Sequence, residues 1–149
     1  MDLELIEKKR LSSESRYVWQ RFEQSEHFNK RWWNEPRLFD DGATYLEVRL
    51  NGVEVARVEL DDRADFAHEF GASRLGAIAL EIQFIEVAPA HRGKGVGTQV
   101  IALLSAANPS RRLVAFSEEA DGFWASLGWE RYEHPEQAPW RRPLYVQPD

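Results

Sequence analysis

The stretch IALEIQFIEVAPAHRGKGVGT, Ile78 to Thr98, decides the fold. Ile78, Leu80, Ile82 and Phe84 share one side of a two-residue repeat, with Ala79, Glu81 and Gln83 on the other, which predicts a strand from Ile78 to Val87. Phe84 and Ile85 are adjacent apolar residues, and Glu86 falls on what had been the apolar side. One extra residue, a β-bulge, is therefore expected near Ile85. Pro89 then breaks the strand, a glycine cluster follows, and a helix is predicted from about Gly95. Val96, Val100, Ile101, Leu104 and Ala107 lie along one side of that helix, and Asn108-Pro109 stops it.

In His91-Arg92-Gly93-Lys94-Gly95-Val96-Gly97-Thr98, the glycines let backbone N–H groups turn inward at a helix start, where the helix dipole favours an anion. Arg92 and Lys94 add positive charge, and Thr98 offers a hydroxyl from the first turn. The pattern suits a pyrophosphate. A nucleotide P-loop would need Gly, four residues, then Gly-Lys-Ser/Thr, but here Lys94 precedes the last two glycines. A dinucleotide loop would need Gly-x-Gly-x-x-Gly, yet Thr98 and Val100 occupy the third glycine's place.

Working outward, Tyr45–Leu50 and Val53–Leu60 alternate and flank Asn51-Gly52, the dipeptide that suits positive φ at both central positions of a hairpin turn. Leu3–Ile6 reads as a short strand. Ser12 or Ser13 can cap a helix carrying Val18, Trp19 and Phe22 through His27 and Phe28 to Trp32-Trp33, ended by Pro36. The acidic stretch from Asp61 to Gly76 reads as loop, with Phe66 and Phe70 one helical turn apart. Arg112–Phe116 is a second buried strand. Ser117 caps the next helix, Glu118 and Glu119 form its first turn, Phe123, Trp124 and Leu127 its apolar side, and Gly128 its stop. Trp129–Glu133 and Leu144–Val146 close the sheet as a pair.

The 149 residues fit a single domain, 1–149, with no linker or repeat, and 43% hydrophobic residues are enough for a core. No cysteine is present, so disulfides, thiolate metal sites and cysteine nucleophiles are excluded. The net charge of −6 and scattered basic residues argue against nucleic acid as a partner. No apolar run spans a membrane and none resembles a signal peptide, so the cytoplasm is the expected compartment. His27, His68, His91 and His134 lack metal-ligand spacing, and no metal is expected.

Arg92, Gly95 and Gly97 resemble the coenzyme A loop of the GNAT superfamily, Arg/Gln-x-x-Gly-x-Gly/Ala. Ile85-Glu86-Val87-Ala88-Pro89 is similar to the family's strand-plus-proline approach. Phe123-Trp124-Ala125-Ser126-Leu127-Gly128-Trp129 is similar to its Phe-Tyr-x-x-Leu-Gly-Phe helix end. The resemblance covers Ile78 to Trp129. It implies an α/β fold with a central mixed, mostly antiparallel sheet flanked by helices. It also implies acetyl transfer from acetyl-coenzyme A to a primary amine, on a small molecule or a protein, by direct attack.

The resemblance assigns residues as well. Ile85 and Val87 pair through their backbone with the pantetheine arm, where the bulge opens the sheet. Arg92, Gly93, Lys94, Gly95, Val96, Gly97 and Thr98 hold the pyrophosphate, and Ser117 is counted with the cosubstrate-binding residues. An ammonium with a reference pKa of about 10.4 must lose a proton before it attacks. Glu81 matches the position of the catalytic glutamate in the histone-acetyltransferase branch, and Glu86 is the second candidate. Trp124 replaces the family's frequent general-acid tyrosine, and an indole N–H cannot protonate a leaving thiolate. Two rivals follow: a coenzyme A or acyl-coenzyme A binding module without catalysis, and an interaction protein that keeps only the fold. The oligomeric expectation is a monomer or homodimer.

Overall fold

The structure, a computed structural model, describes residues 1–36, 41–63, 69–136 and 138–149. Seven strands form one mixed sheet: β1 (Leu3–Lys8), β2 (Ala43–Leu50), β3 (Val53–Asp61), β4 (Ala79–Val87), β5 (Arg112–Phe116), β6 (Glu130–Tyr132) and β7 (Leu144–Val146). Their order is β1-β2-β3-β4-β5-β7-β6. β4 and β5 are parallel, whereas β1 with β2, β5 with β7, and β6 with β7 are antiparallel. Among the described residues three α-helices accompany them: α1 (Lys30–Trp33), α2 (Val96–Ala107) and α3 (Asp121–Ser126). This is the mixed, mostly antiparallel sheet with flanking helices expected from the sequence.

The chain divides into two units, Met1–Leu60 with Phe84–Leu103, and Asp61–Gln83 with Leu104–Asp149. In the first unit the β2–β3 hairpin turns as predicted, with Asn51 at φ 52° and Gly52 at φ 78°. The alternating residues of the hairpin are not solvated. Glu47, Arg57 and Glu59 are buried beside Tyr45, Val48, Val55 and Val58, so both faces of these strands are covered. A buried charge needs a partner. Arg57 finds Glu54 through two bonds of 2.9 Å and the Glu23 carbonyl at 2.7 Å, and Glu47 accepts from Arg49 at 3.0 Å.

The long helix expected between Ser12 and Trp33 is absent, and only Lys30–Trp33 is helical. Side chains compete with the helix ladder here. Ser15 Oγ accepts from Tyr17 N–H at 3.2 Å, Ser25 Oγ from His27 N–H at 3.1 Å, and Asn29 Oδ1 from Arg31 N–H at 2.9 Å. Arg21, also buried, donates to the carbonyls of Trp33 and Glu35 at 3.0 and 2.8 Å. The segment is tied down by arginines, and Phe22, Phe28 and Trp33 fill a core with Tyr45 and Ala88.

In the second unit Phe70, Ala72, Leu75, Ala79, Val114, Leu144 and Val146 form the core. The expected Phe66–Phe70 turn lies partly outside the described residues. Ile78 belongs to a 3-10 segment, Ser73–Ile78, and is 41% exposed, so β4 starts one residue later than predicted. α3 starts at Asp121, four residues after the expected cap. Ser117 still accepts from Ala120 N–H at 3.1 Å, but Glu119 at φ 56° interrupts the helical path between them. The end is as predicted: Gly128, at φ 76°, donates to Ala125 O at 2.9 Å and Trp129 N–H reaches Trp124 O at 3.4 Å, a Schellman motif.

Candidate active site

β4 pairs with β5 only from Ala79–Arg112 to Glu81–Val114, although it continues to Val87. The described register thus stops before Ile85, where the sequence pattern slips. Ala88 N–H donates to Val55 O at 2.9 Å, and a 3-10 turn, Pro89–His91, leads into the glycine loop.

Gly93 sits at φ 72° and Gly95 at φ 81°, and nothing lies within 4 Å of where a Cβ would stand at either. Both glycines face open space, and their left-handed backbone is one that side-chain-bearing residues adopt only with strain. Gln99 N–H donates to Gly95 O at 3.0 Å and closes the first turn of α2. Helix geometry then leaves the N–H groups of Val96, Gly97 and Thr98 without carbonyls one turn back. Val96, Val100, Ile101 and Leu104 are buried and anchor that helix end, whereas Ala107 is exposed. Lys94 and Thr98 are exposed. A pyrophosphate fits this donor set. Arg92 faces the chain: its Nε donates to Val87 O at 2.8 Å, and its Nη2 lies 3.8 Å from Glu86.

The sequence matches the model of the acetyltransferase (GNAT) family over residues 8–129. The chain belongs to the GNAT acetyltransferase family.

Solved structures share the fold. An acetyltransferase from Thermus thermophilus superimposes with a TM-score of 0.58 at 16% identity, over 74% of this chain and 67% of that one. The N-acetyltransferase YhhK from E. coli, bound to coenzyme A, gives 0.56 at 17% over 97% and 98%. The Bacillus subtilis N-acetyltransferase YlbP, in complex with coenzyme A, gives 0.54 at 16% over 70% and 68%. No protein of curated function matches the sequence. Among the described residues, no helix is long and apolar enough to cross a membrane, and no group of three or more metal-ligating side chains comes together.

Within this GNAT protein, Ile85, Glu86, Val87 and the run from Arg92 to Thr98 lie in the first unit, and Glu81 and Ser117 in the second. Glu81 is buried, at 7% exposure. Oriented to donate, the Gln83 amide nitrogen lies 3.1 Å from each of its carboxylate oxygens. Glu86 is held by the N-terminal segment: its Oε1 accepts from Asn29 N–H and Trp33 Nε1–H, both at 2.8 Å. Sequence reading missed this pairing. Trp33 stands 53 residues away, and the only signal was a buried-type aromatic pair with no assigned partner.

Ser117 is buried, and its N–H donates to Pro143 O at 3.1 Å. Its hydroxyl, followed by Arg131, holds the Asp121 carboxyl below the usual range. Trp124 is 3% exposed, packs on Phe123 and Trp129, and its Nε1–H meets no acceptor among the described residues. It is a packing residue. Trp124→Phe is expected to cost less than the roughly 3–5 kcal/mol of a Trp→Ala truncation, because most ring contacts survive and an unpaired donor is removed. Thermal unfolding checks the stability change. The pH dependence of turnover should be unaltered, and a lost basic limb would contradict the assignment.

Proposed function

We propose that this protein transfers the acetyl group of acetyl-coenzyme A to a primary amine. The observation that carries the reading is the glycine loop, with Gly93 and Gly95 in the left-handed region at the start of α2, in a chain of the GNAT acetyltransferase family. In this reading the N–H groups of Gly95 to Thr98 and the charges of Arg92 and Lys94 hold the pyrophosphate. Backbone groups of Ile85 and Val87 take the pantetheine amides as an added strand would, which the short β4–β5 register supports.

Acetyl-coenzyme A supplies the activated acyl group. The amine nitrogen attacks the thioester carbonyl carbon, the C–S bond breaks, and coenzyme A leaves with the electron pair. A reference thiol pKa near 8.5 makes that departure feasible without a phenol. Glu81 is the base: its carboxylate takes the ammonium proton directly or through water, and burial plus the Gln83 amide keep it in place.

Acetyl-coenzyme A should raise the melting temperature, since a ligand at 100 times its Kd stabilises the folded state by about 2.7 kcal/mol. No rise at millimolar ligand would overturn the loop assignment. Thiol release against a panel of amines then tests the chemistry. Tight binding without thiol release from any amine would favour the binding-module reading.

A further inference from the structure

Glu86 has both carboxylate oxygens engaged. Oε1 accepts two bonds, from Asn29 N–H and Trp33 Nε1–H at 2.8 Å each, and Oε2 faces Arg92 Nη2 at 3.8 Å. Asn29 is the N-cap of α1 and Trp33 its last residue, so one oxygen grips both ends of that turn. Trp33 is 1% exposed and meets Phe22 edge-on at 5.2 Å, while the neighbouring Trp32 stacks on Phe84 at 4.8 Å. The turn therefore sits on β4 at Phe84 and Glu86, beside Ile85 and Val87.

A general base needs a lone pair open to the incoming proton, and charge-assisted bonds from N–H donors are the strong kind to displace. The geometry of Glu86 suits holding more than proton transfer. Its counter-ion is shared: the Arg92 guanidinium stands at the start of the glycine loop, with its side chain 57% exposed and its Nε donating to Val87 O at 2.8 Å. A pyrophosphate at the loop competes with Glu86 for that charge.

Resting on the loop reading proposed above, we infer that Glu86 is a positioning residue. It seats the Asn29–Trp33 turn on β4, where the amine must arrive, and Arg92 links that seat to occupancy of the glycine loop. The coupling is reciprocal, so a change in the seat on binding returns as a change in cosubstrate affinity.

The test uses the whole protein with its tryptophan indole N–H resonances assigned by NMR. Acetyl-coenzyme A should shift the Trp33 resonance in the wild type, and Glu86→Ala should move it in the free protein. Glu86→Gln keeps an acceptor oxygen but drops the charge, so the ligand-induced shift should shrink severalfold while binding, read from the melting temperature, persists. In turnover, Glu86→Gln should raise the amine KM severalfold, lower kcat at most a few-fold and leave the pH profile unchanged. Glu86→Ala should raise KM tenfold or more.

Turnover slowed a hundredfold or more in Glu86→Gln, with loss of the acidic limb, would make Glu86 the base and overturn the inference. An unmoved Trp33 resonance despite a ligand-induced rise in melting temperature would overturn the coupling. If acetyl-coenzyme A causes no rise at all, the loop reading and the coupling fall together. The anchor alone then stands or falls on the Trp33 resonance of Glu86→Ala.

Discussion

Glu81→Gln is expected to lower kcat at neutral pH by about 10²- to 10⁴-fold while acetyl-coenzyme A affinity barely moves. The substitution is nearly isosteric, and a glutamine oxygen can still accept from the Gln83 amide that lies 3.1 Å from the carboxylate. A side chain only 7% exposed therefore keeps its place, and the change removes basicity with little else. Raising the pH should partly rescue the variant. A larger fraction of the amine, with a reference pKa of about 10.4, then arrives already neutral. Steady-state rates across pH with a good acceptor check this. A variant that matches wild type at every pH would leave the proton to water and Glu81 to packing.

Gly95→Val should cut stabilisation by acetyl-coenzyme A to about half or less at a concentration 100 times the wild-type Kd. Gly95 adopts φ 81°, and a Cβ there meets nothing within 4 Å, so the substitution acts through the backbone and not through a clash with the chain. An L-residue held in the left-handed region loses about 1–2 kcal/mol, and a β-branched one is a genuine outlier. The loop is expected to relax to negative φ, turning its N–H groups away from the anion. Affinity should fall at least about tenfold, a loss of roughly 1.4 kcal/mol. Melting temperatures of wild type and variant, each with and without ligand, separate lost binding from lost intrinsic stability. An undiminished ligand-induced rise in the variant would remove the loop from the cosubstrate site.

Local chemistry made some parts of this protein legible. The hairpin turn at Asn51-Gly52, the positive φ of Gly93, Gly95 and Gly128 and the buried row of α2 each depend on a few neighbouring residues. Turn preference, capping and periodicity act over one or two turns of chain, so these elements follow from short stretches alone. The family resemblance from Ile78 to Trp129 rests on the same kind of local pattern.

The N-terminal segment could not be read that way. Val18 and Tyr17 lie exposed where a helix was expected to bury an apolar side, because Arg21 and Arg57 draw backbone carbonyls of residues 23 to 35 into tertiary bonds. Alternation puts Glu81 on the side of β4 opposite Leu80 and Ile82, yet it is buried as they are. Glu86 stands in the sequence as a base candidate with no visible partner, whereas in the fold Asn29 and Trp33, more than fifty residues earlier, hold its carboxylate. Short-range backbone preferences were enough to set the succession of strands and helices and the left-handed turns of the glycine loop. Which charges are buried, and what each carboxylate faces, depends on the packed fold, because a charge takes its partner from whatever the fold brings within about 3 Å of it.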